Sequence, residues 1–83
     1  RDFIRSKGYG RNFVHRTGHG FGLEIHEFPS LTYKSKVIAK ESMAVTIEPG
    51  IYIPGKGGVR IEDDVLVKGD NPQILTKAKK DLY

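Results

Sequence analysis

Residues 43 to 67 read MAVTIEPGIYIPGKGGVRIEDDVLV, and this stretch decides the fold. In residues 43 to 48, apolar side chains alternate with small, polar or charged ones, which is the period-two pattern of a strand with one buried face. In residues 59 to 67, four of the five apolar residues lie at one parity and three of the four charged residues lie at the other. The glycines and Pro54 between the two parts are typical of turns, so the sequence predicts a hairpin or a neighbouring antiparallel pair.

Two glutamates lie on the polar faces of these predicted strands. If Met43, Val45 and Ile47 face the core, Glu48 lies on the opposite face, and Glu62 has the corresponding place on the second strand. Solvent exposure is the ordinary state of such residues. Neighbouring strands could instead bring the two carboxylates together, where they raise each other's pKa unless a cation lies between them.

The other elements carry weaker signals. Residues 1 to 7 are typical of the end of a helix, because glycine follows directly. Residues 23 to 28 could form a short strand that the next residue, a proline, ends. Residues 74 to 83 are typical of a capped helix that starts near Thr76. The sequence therefore predicts one α+β domain over residues 1 to 83, with a β-rich centre and a helix at each end.

Length and composition narrow the class of protein. The 83 residues suffice for one small domain, and because the chain begins with Arg1 rather than Met, we expect it to be part of a longer protein. The absence of cysteine excludes a disulfide framework and a thiolate zinc finger, and it fits a cytoplasmic location. No apolar run approaches the roughly 18 to 20 residues of a membrane span.

The charge of the chain leaves nucleic-acid binding as an alternative, because the net charge is +4. Ten acidic residues are interspersed with scattered lysines, however, which is typical of a solvated, lysine-rich surface. We therefore expect neither nucleic acid nor a membrane as a partner.

All three histidines lie in HRTGHGFGLEIH, residues 15 to 26, whose glycines argue against a helix. A single histidine is more often a surface or core residue than a metal ligand, but three in this short stretch make a metal site an equal alternative. One imidazole with the carboxylates of Glu48 and Glu62 is a ligand set for zinc, manganese, iron or cobalt rather than calcium. Arg60 shares a face with Glu62 and could orient a carboxylate.

Three segments carry a resemblance to a known family. HRTGHGFGLEIHEFP, TIEPGIYIPGKGG and GVRIEDDVLV resemble the C-terminal signature segments of the Xaa-Pro dipeptidases (prolidases) and Xaa-Pro aminopeptidases, which are pita-bread metallopeptidases. The resemblance covers about residues 9 to 81. It implies the C-terminal half of a pita-bread domain, with an antiparallel β-sheet and flanking helices.

The resemblance also implies a metal site. His19, within Gly18 to Gly20, matches the single histidine ligand of the family. Glu48 matches a glutamate that binds metal and acts as general base or proton shuttle, and Glu62 matches the glutamate that bridges two metal ions. The cofactors implied are two divalent ions, of manganese, cobalt, zinc or iron.

Three further residues match positions that act on substrate. His26 matches the histidine that contacts the scissile peptide and stabilises the tetrahedral intermediate. His15 and Arg60 match residues of the proline-specific branch, so we expect them to select the substrate class, with His15 facing the substrate.

The function implied is metal-assisted hydrolysis of Xaa-Pro bonds in di- or oligopeptides by a parent protein, which we expect to be a cytoplasmic homodimer. Two further ligands of the family are aspartates from an upstream strand pair, which residues 1 to 14 do not supply. We therefore expect the chain to need the rest of its own catalytic domain, and alone to bind metal weakly and lack activity. The alternative is a non-catalytic pita-bread relative that binds peptides or proteins.

Overall fold

The computed structural model describes residues 1 to 81. A short helix, α1, covers Asp2–Ser6, and a 3₁₀ turn covers Gly10–Asn12. The strands within the described residues are β1 (Gly18–Gly20), β2 (Glu27–Leu31), β3 (Ala44–Ile47), β4 (Gly50–Ile53), β5 (Gly57–Arg60), β6 (Asp63–Leu66) and β7 (Gln73–Ile74). None of the helices in residues 1 to 81 is long and apolar enough to cross a membrane.

The strands form two antiparallel sheets. Five of them are ordered β2-β1-β3-β6-β7, and β4 and β5 form a separate two-stranded sheet. Between β4 and β5 the Lys56 amide donates to the Ile53 carbonyl at 3.0 Å, and Gly55 has a φ of +76°. Pro54 followed by a residue of positive φ is the pattern of a type II turn, so the predicted turn is confirmed.

Residues 44 to 66 form one long hairpin with an interruption. The pairing of Ile47 with Asp63 in the first sheet and of Gly50 with Arg60 in the second follows a single register. The predicted antiparallel pair is therefore confirmed, but each of its two strands is divided into two pieces.

The interruption lies where the two glutamates stand. The register places Glu48 opposite Glu62, in the gap between the two ladders. Pro49 has no amide hydrogen to donate, and only its carbonyl bonds across the gap, accepting from the Ile61 amide at 3.3 Å. The backbone therefore opens at the position of two facing carboxylates.

The predicted one-sided burial of β3 is wrong. Val45 and the polar Thr46 are both buried, with 4% and 3% exposure, whereas Ile47 is 36% exposed. The cause is β1, which passes close to β3 and covers its polar face as well: the His19 amide donates to the Thr46 hydroxyl at 3.0 Å. Thr46 is thus buried with its hydroxyl hydrogen-bonded.

The predicted strand over residues 23 to 28 is also displaced. Only Glu27 and Phe28 of that range are extended, and β2 continues through Pro29 to Leu31. β2 is an edge strand of the sheet, where the missing amide hydrogen of a proline is tolerated because one side of the strand has no neighbour within the described residues. Residues 21 to 26 form the connection between β1 and β2.

The terminal helices have different outcomes. The N-terminal helix is confirmed as α1, and Gly8 beyond it has a φ of +87°. The C-terminal helix is wrong for residues 74 to 81, since Ile74 belongs to β7 and residues 75 to 81 have no regular structure; residues 82 and 83 lie outside the described residues. A helix this short is marginal alone, and here Thr76 bonds Asp63 across the sheet instead.

Candidate metal centre

His19 lies on β1, between β2 and β3 in the five-stranded sheet, and is only 5% exposed. Its two flanking glycines allow the backbone to pass between β2 and β3. A Cβ atom at Gly18 would lie 1.7 Å from the Thr46 carbonyl oxygen, and one at Gly20 would lie 2.1 Å from the Phe28 carbonyl oxygen. The glycines therefore serve close strand packing around a buried imidazole.

The hydrogen bonds of His19 determine its tautomer. Nδ1 lies 2.9 Å from the Gly20 carbonyl oxygen, and because a carbonyl only accepts, Nδ1 carries the proton. In the neutral ring Nε2 then presents its lone pair, and it lies 3.9 Å from Glu48 Oε1, beyond hydrogen-bond distance. A lone pair that faces a carboxylate is repelled unless a proton or a metal cation lies between them. This is the tautomer that a metal-binding histidine adopts.

Glu48 and Glu62 come together as the register of the hairpin requires. Loss of hydration, followed by the charge of Glu48 and a hydrogen bond with it, raises the pKa of Glu62 above its ordinary value. Arg60 acts in the opposite direction and lowers that pKa, whereas Asp64 raises it slightly. Glu62 therefore retains a proton more readily than an isolated glutamate, and a cation between the two carboxylates would relieve the repulsion.

A cavity of about 520 Å³ opens over these groups. Five of the six residues singled out from the sequence line it, namely His19, His26, Glu48, Arg60 and Glu62. The rings of the two histidines meet edge to face, with their centroids 4.4 Å apart. The buried ring lies on β1, while the exposed ring lies at the end of the connection between β1 and β2.

The structure does not bring His15 into this cavity. Its Nδ1 lies 2.7 Å from the Arg16 carbonyl oxygen and its Nε2 lies 2.8 Å from the Tyr52 hydroxyl, so both ring nitrogens are already hydrogen-bonded. The ring also packs edge to face against buried Phe13, with centroids 5.2 Å apart. His15 therefore lies next to Gly50 of β4 and outside this cavity, and its role towards the substrate stays a prediction.

The three proposed ligand side chains suit a divalent cation, although they do not yet surround a common point. Within residues 1 to 81, no three His, Cys, Asp or Glu side chains converge as a ready ligand set. His19, Glu48 and Glu62 are neighbours that offer one neutral imidazole nitrogen and two carboxylates. That combination of nitrogen and oxygen donors suits zinc, manganese, iron or cobalt.

Two residues of the cavity were not singled out as site residues from the sequence. Thr46 positions the backbone of His19 through its hydroxyl, and Asp64 stands opposite Thr46 in the β3–β6 ladder. Both lie two residues from a proposed ligand, Glu48 or Glu62, and therefore share its face of the strand. The period-two pattern could have identified them.

Comparison with known proteins identifies the family. The model of metallopeptidase family M24 matches residues 1 to 69. The chain belongs to metallopeptidase family M24. The residues that match the family model include the three proposed metal ligands and every cavity residue discussed above.

Relatives in sequence and in structure agree with this family. The chain is 51% identical over 82 residues to the Xaa-Pro dipeptidase of Pyrococcus furiosus, which covers 99% of this chain and 24% of that protein. The structure of the Xaa-Pro dipeptidase from Bacillus anthracis has a TM-score of 0.95 at 57% identity, covering 98% of this chain and 23% of that one. The X-Pro aminopeptidase structure from Thermotoga maritima has a TM-score of 0.93 at 46% identity, covering 96% and 23%.

These likenesses confirm the predicted fold, the C-terminal half of a pita-bread domain with an antiparallel sheet. The chain spans about a quarter of the length of the relatives it matches. The similar structures include an Xaa-Pro dipeptidase and an X-Pro aminopeptidase.

Proposed function

We propose that this chain forms part of a metal-dependent hydrolase of Xaa-Pro peptide bonds, acting as dipeptidase or aminopeptidase on Xaa-Pro di- or oligopeptides. The observation that carries the proposal is the buried imidazole of His19, whose Nε2 lies 3.9 Å from Glu48 Oε1 while its Nδ1 bonds the Gly20 carbonyl. Membership of a metallopeptidase family supports the same chemistry.

His19, Glu48 and Glu62 would hold the divalent ions, which when bound would supply Lewis-acid chemistry to the scissile carbonyl. The ligand set tolerates manganese, cobalt, zinc and iron. Since the chain spans about a quarter of its relatives' length, further ligands would come from the rest of the catalytic domain. Residues 1 to 83 alone would then bind metal weakly and be inactive.

The side chains of the cavity have separate proposed roles. Glu48 would accept and return a proton, since it faces a second carboxylate and has access to the cavity. His26, exposed at the cavity wall, would donate a hydrogen bond to the carbonyl oxygen of the scissile bond. Arg60 favours the ionised form of Glu62, as its effect on that pKa indicates.

Two narrower features belong to the proposal. A cytoplasmic location is supported by the cysteine-free sequence. A homodimeric parent rests on the resemblance alone.

The test is hydrolysis by the full protein of Xaa-Pro and Xaa-Ala dipeptides with added Mn²⁺ or Co²⁺. We expect turnover of the proline substrates, and a fall of at least about 100-fold in His19→Ala and Glu62→Ala, because each loses a metal ligand. Asp70→Ala, which removes an exposed carboxylate away from the cavity, is the matched control and should retain activity. Tight peptide binding without hydrolysis would instead indicate the non-catalytic relative.

A further inference from the structure

The connection between β1 and β2, residues 21 to 26, is folded back on itself by a carboxylate that the proposed chemistry does not use. Glu27, the first residue of β2, accepts a hydrogen bond at Oε1 from the Glu24 amide at 3.0 Å. The Gly22 amide in turn donates to the Glu24 carbonyl at 3.1 Å. The side chain of Glu27 thus closes a small turn of its own chain.

The other oxygen of this carboxylate lies over Gly22. A Cβ atom added at Gly22 would lie 2.8 Å from Glu27 Oε2 and 3.1 Å from Oε1. Glu27 is half-buried, whereas residues 22 to 26 are all exposed. The turn therefore depends on a glycine at one end and a carboxylate at the other, and the bare Cα of Gly22 leaves the space that the carboxylate occupies.

This turn carries His26, the residue directly before Glu27. With the turn closed, the ring of His26 lies at the cavity wall, 4.4 Å between centroids from the ring of His19. An exposed imidazole on an open connection would sample many rotamers, and a hydrogen-bond donor misplaced by about 1 Å can cost roughly 100-fold in rate.

We propose that Glu27 is a positioning residue, whose carboxylate holds the Gly22–Glu24 turn and thereby aims His26 into the cavity. Its effect on hydrolysis rests on the proposed function, whereas its effect on the turn does not. The carboxylate acts here as a hydrogen-bond acceptor for a backbone amide, so its geometry matters more than its charge.

The kinetic test compares three variants of the full protein on an Xaa-Pro dipeptide. Glu27→Ala should lower kcat by about 10- to 100-fold with a smaller change in KM, since His26 is proposed to act in the transition state. Glu27→Gln keeps an acceptor oxygen and should recover most of the activity. Asp70→Ala removes an exposed carboxylate away from the turn and the cavity, and it is the control.

Gly22→Ala provides an independent way to break the same contact. Its Cβ would displace only the flexible end of Glu27, and the backbone of Gly22 is not in the left-handed region, so the fold should survive. It should reproduce the loss in Glu27→Ala, and the double variant should lose no more than either single variant. In a His26→Ala background, Glu27→Ala should have no further effect.

A structural measurement separates this proposal from the proposed function. In NMR spectra of the full protein, Glu27→Ala and Gly22→Ala should shift the Glu24 amide and the His26 imidazole signals, while Asp70→Ala should leave both unchanged. If those signals shift but no variant or wild type hydrolyses Xaa-Pro bonds, the proposed function fails and the positioning role stands. Unchanged Glu24 and His26 signals in both variants, or an Asp70→Ala variant as impaired as Glu27→Ala, would overturn the positioning role.

Discussion

The two halves of the long hairpin share one register and differ in almost everything else. The β3–β6 half lies inside a five-stranded sheet, and its Val45 and Thr46 are buried. Within residues 1 to 81 the β4–β5 half has no third strand, and every residue of β5 is exposed. Since both halves use alternating apolar residues, the difference comes from what lies beside them: β1 and β7 flank the first half.

The candidate metal centre lies at the junction of these halves. The buried half supplies His19 through its neighbour β1, and the junction itself supplies Glu48 and Glu62. A rigid sheet thus fixes the imidazole, while the interrupted ladder leaves two carboxylates free to accommodate an ion. Substitutions in the buried half should therefore affect folding much more than equivalent ones in the exposed half.

The largest loss of stability is expected from substitution of a glycine next to the buried half. Gly18→Ala would place Cβ 1.7 Å from the Thr46 carbonyl oxygen, and the backbone there cannot yield without separating β1 from β3. We expect the free energy of unfolding, measured by urea denaturation, to fall by more than about 3 kcal/mol.

The matched substitution in the exposed half is Gly55→Ala. No atom lies within 4 Å of the added Cβ, and only the positive φ of +76° opposes it. The cost should be about 1 to 2 kcal/mol. Equal losses in the two variants would contradict the contrast between the halves.

A smaller effect is expected from removing the same two methyl groups in each half. Val45 is 4% exposed on β3 and Val59 is 49% exposed on β5. Val45→Ala should lower the free energy of unfolding by about 2 kcal/mol, because it removes buried apolar area and leaves a cavity. Val59→Ala should stay within about 0.5 kcal/mol of the wild type. A Val59→Ala loss as large as that at Val45 would show that the β4–β5 half is covered.

The smallest change in stability is expected from substitution of Asp63, whose carboxylate bonds Thr76 and Lys80 in the chain beyond β7. The hydrogen bond from Thr76, followed by the bond and charge of Lys80, lowers the pKa of Asp63. A lowered pKa stabilises the folded state at pH values above the pKa of the unfolded chain, and this contribution is lost as pH falls through the folded value.

Asp63→Asn should therefore be less stable than the wild type at neutral pH, and the difference should shrink as pH is lowered toward 3. Urea midpoints at several pH values measure it, with Asp70→Asn, an exposed carboxylate, as the control. A difference that is constant with pH would mean that the Asp63 carboxylate does not hold residues 75 to 81.

The parts of the fold that could be predicted from the sequence are local. Residues 43 to 67 contain both strands and the turn that joins them, so their alternation and their glycines suffice. The C-terminal helix is wrong because the partner of Thr76 is Asp63, thirteen residues earlier, and no local pattern contains that contact. The burial of Thr46 likewise depends on β1, which is distant in sequence.

The site could be predicted in part for the same reason. The register of the hairpin predicts that Glu48 and Glu62 are neighbours, whereas the approach of His19 to Glu48 follows only from the resemblance. His15 is four residues from His19, yet its ring bonds the Tyr52 hydroxyl outside the cavity. Proximity in sequence therefore does not distinguish a histidine that lines the cavity from one that does not.

The central claim is that the junction of the two halves binds a divalent cation, and calorimetric titration of the full protein with Mn²⁺ or Co²⁺ tests it most directly. We predict that His19→Ala and Glu62→Gln each weaken the metal affinity by at least about 10- to 100-fold, because each removes a donor. Asp70→Asn should bind as the wild type does. Wild-type affinity in both His19→Ala and Glu62→Gln would contradict the account.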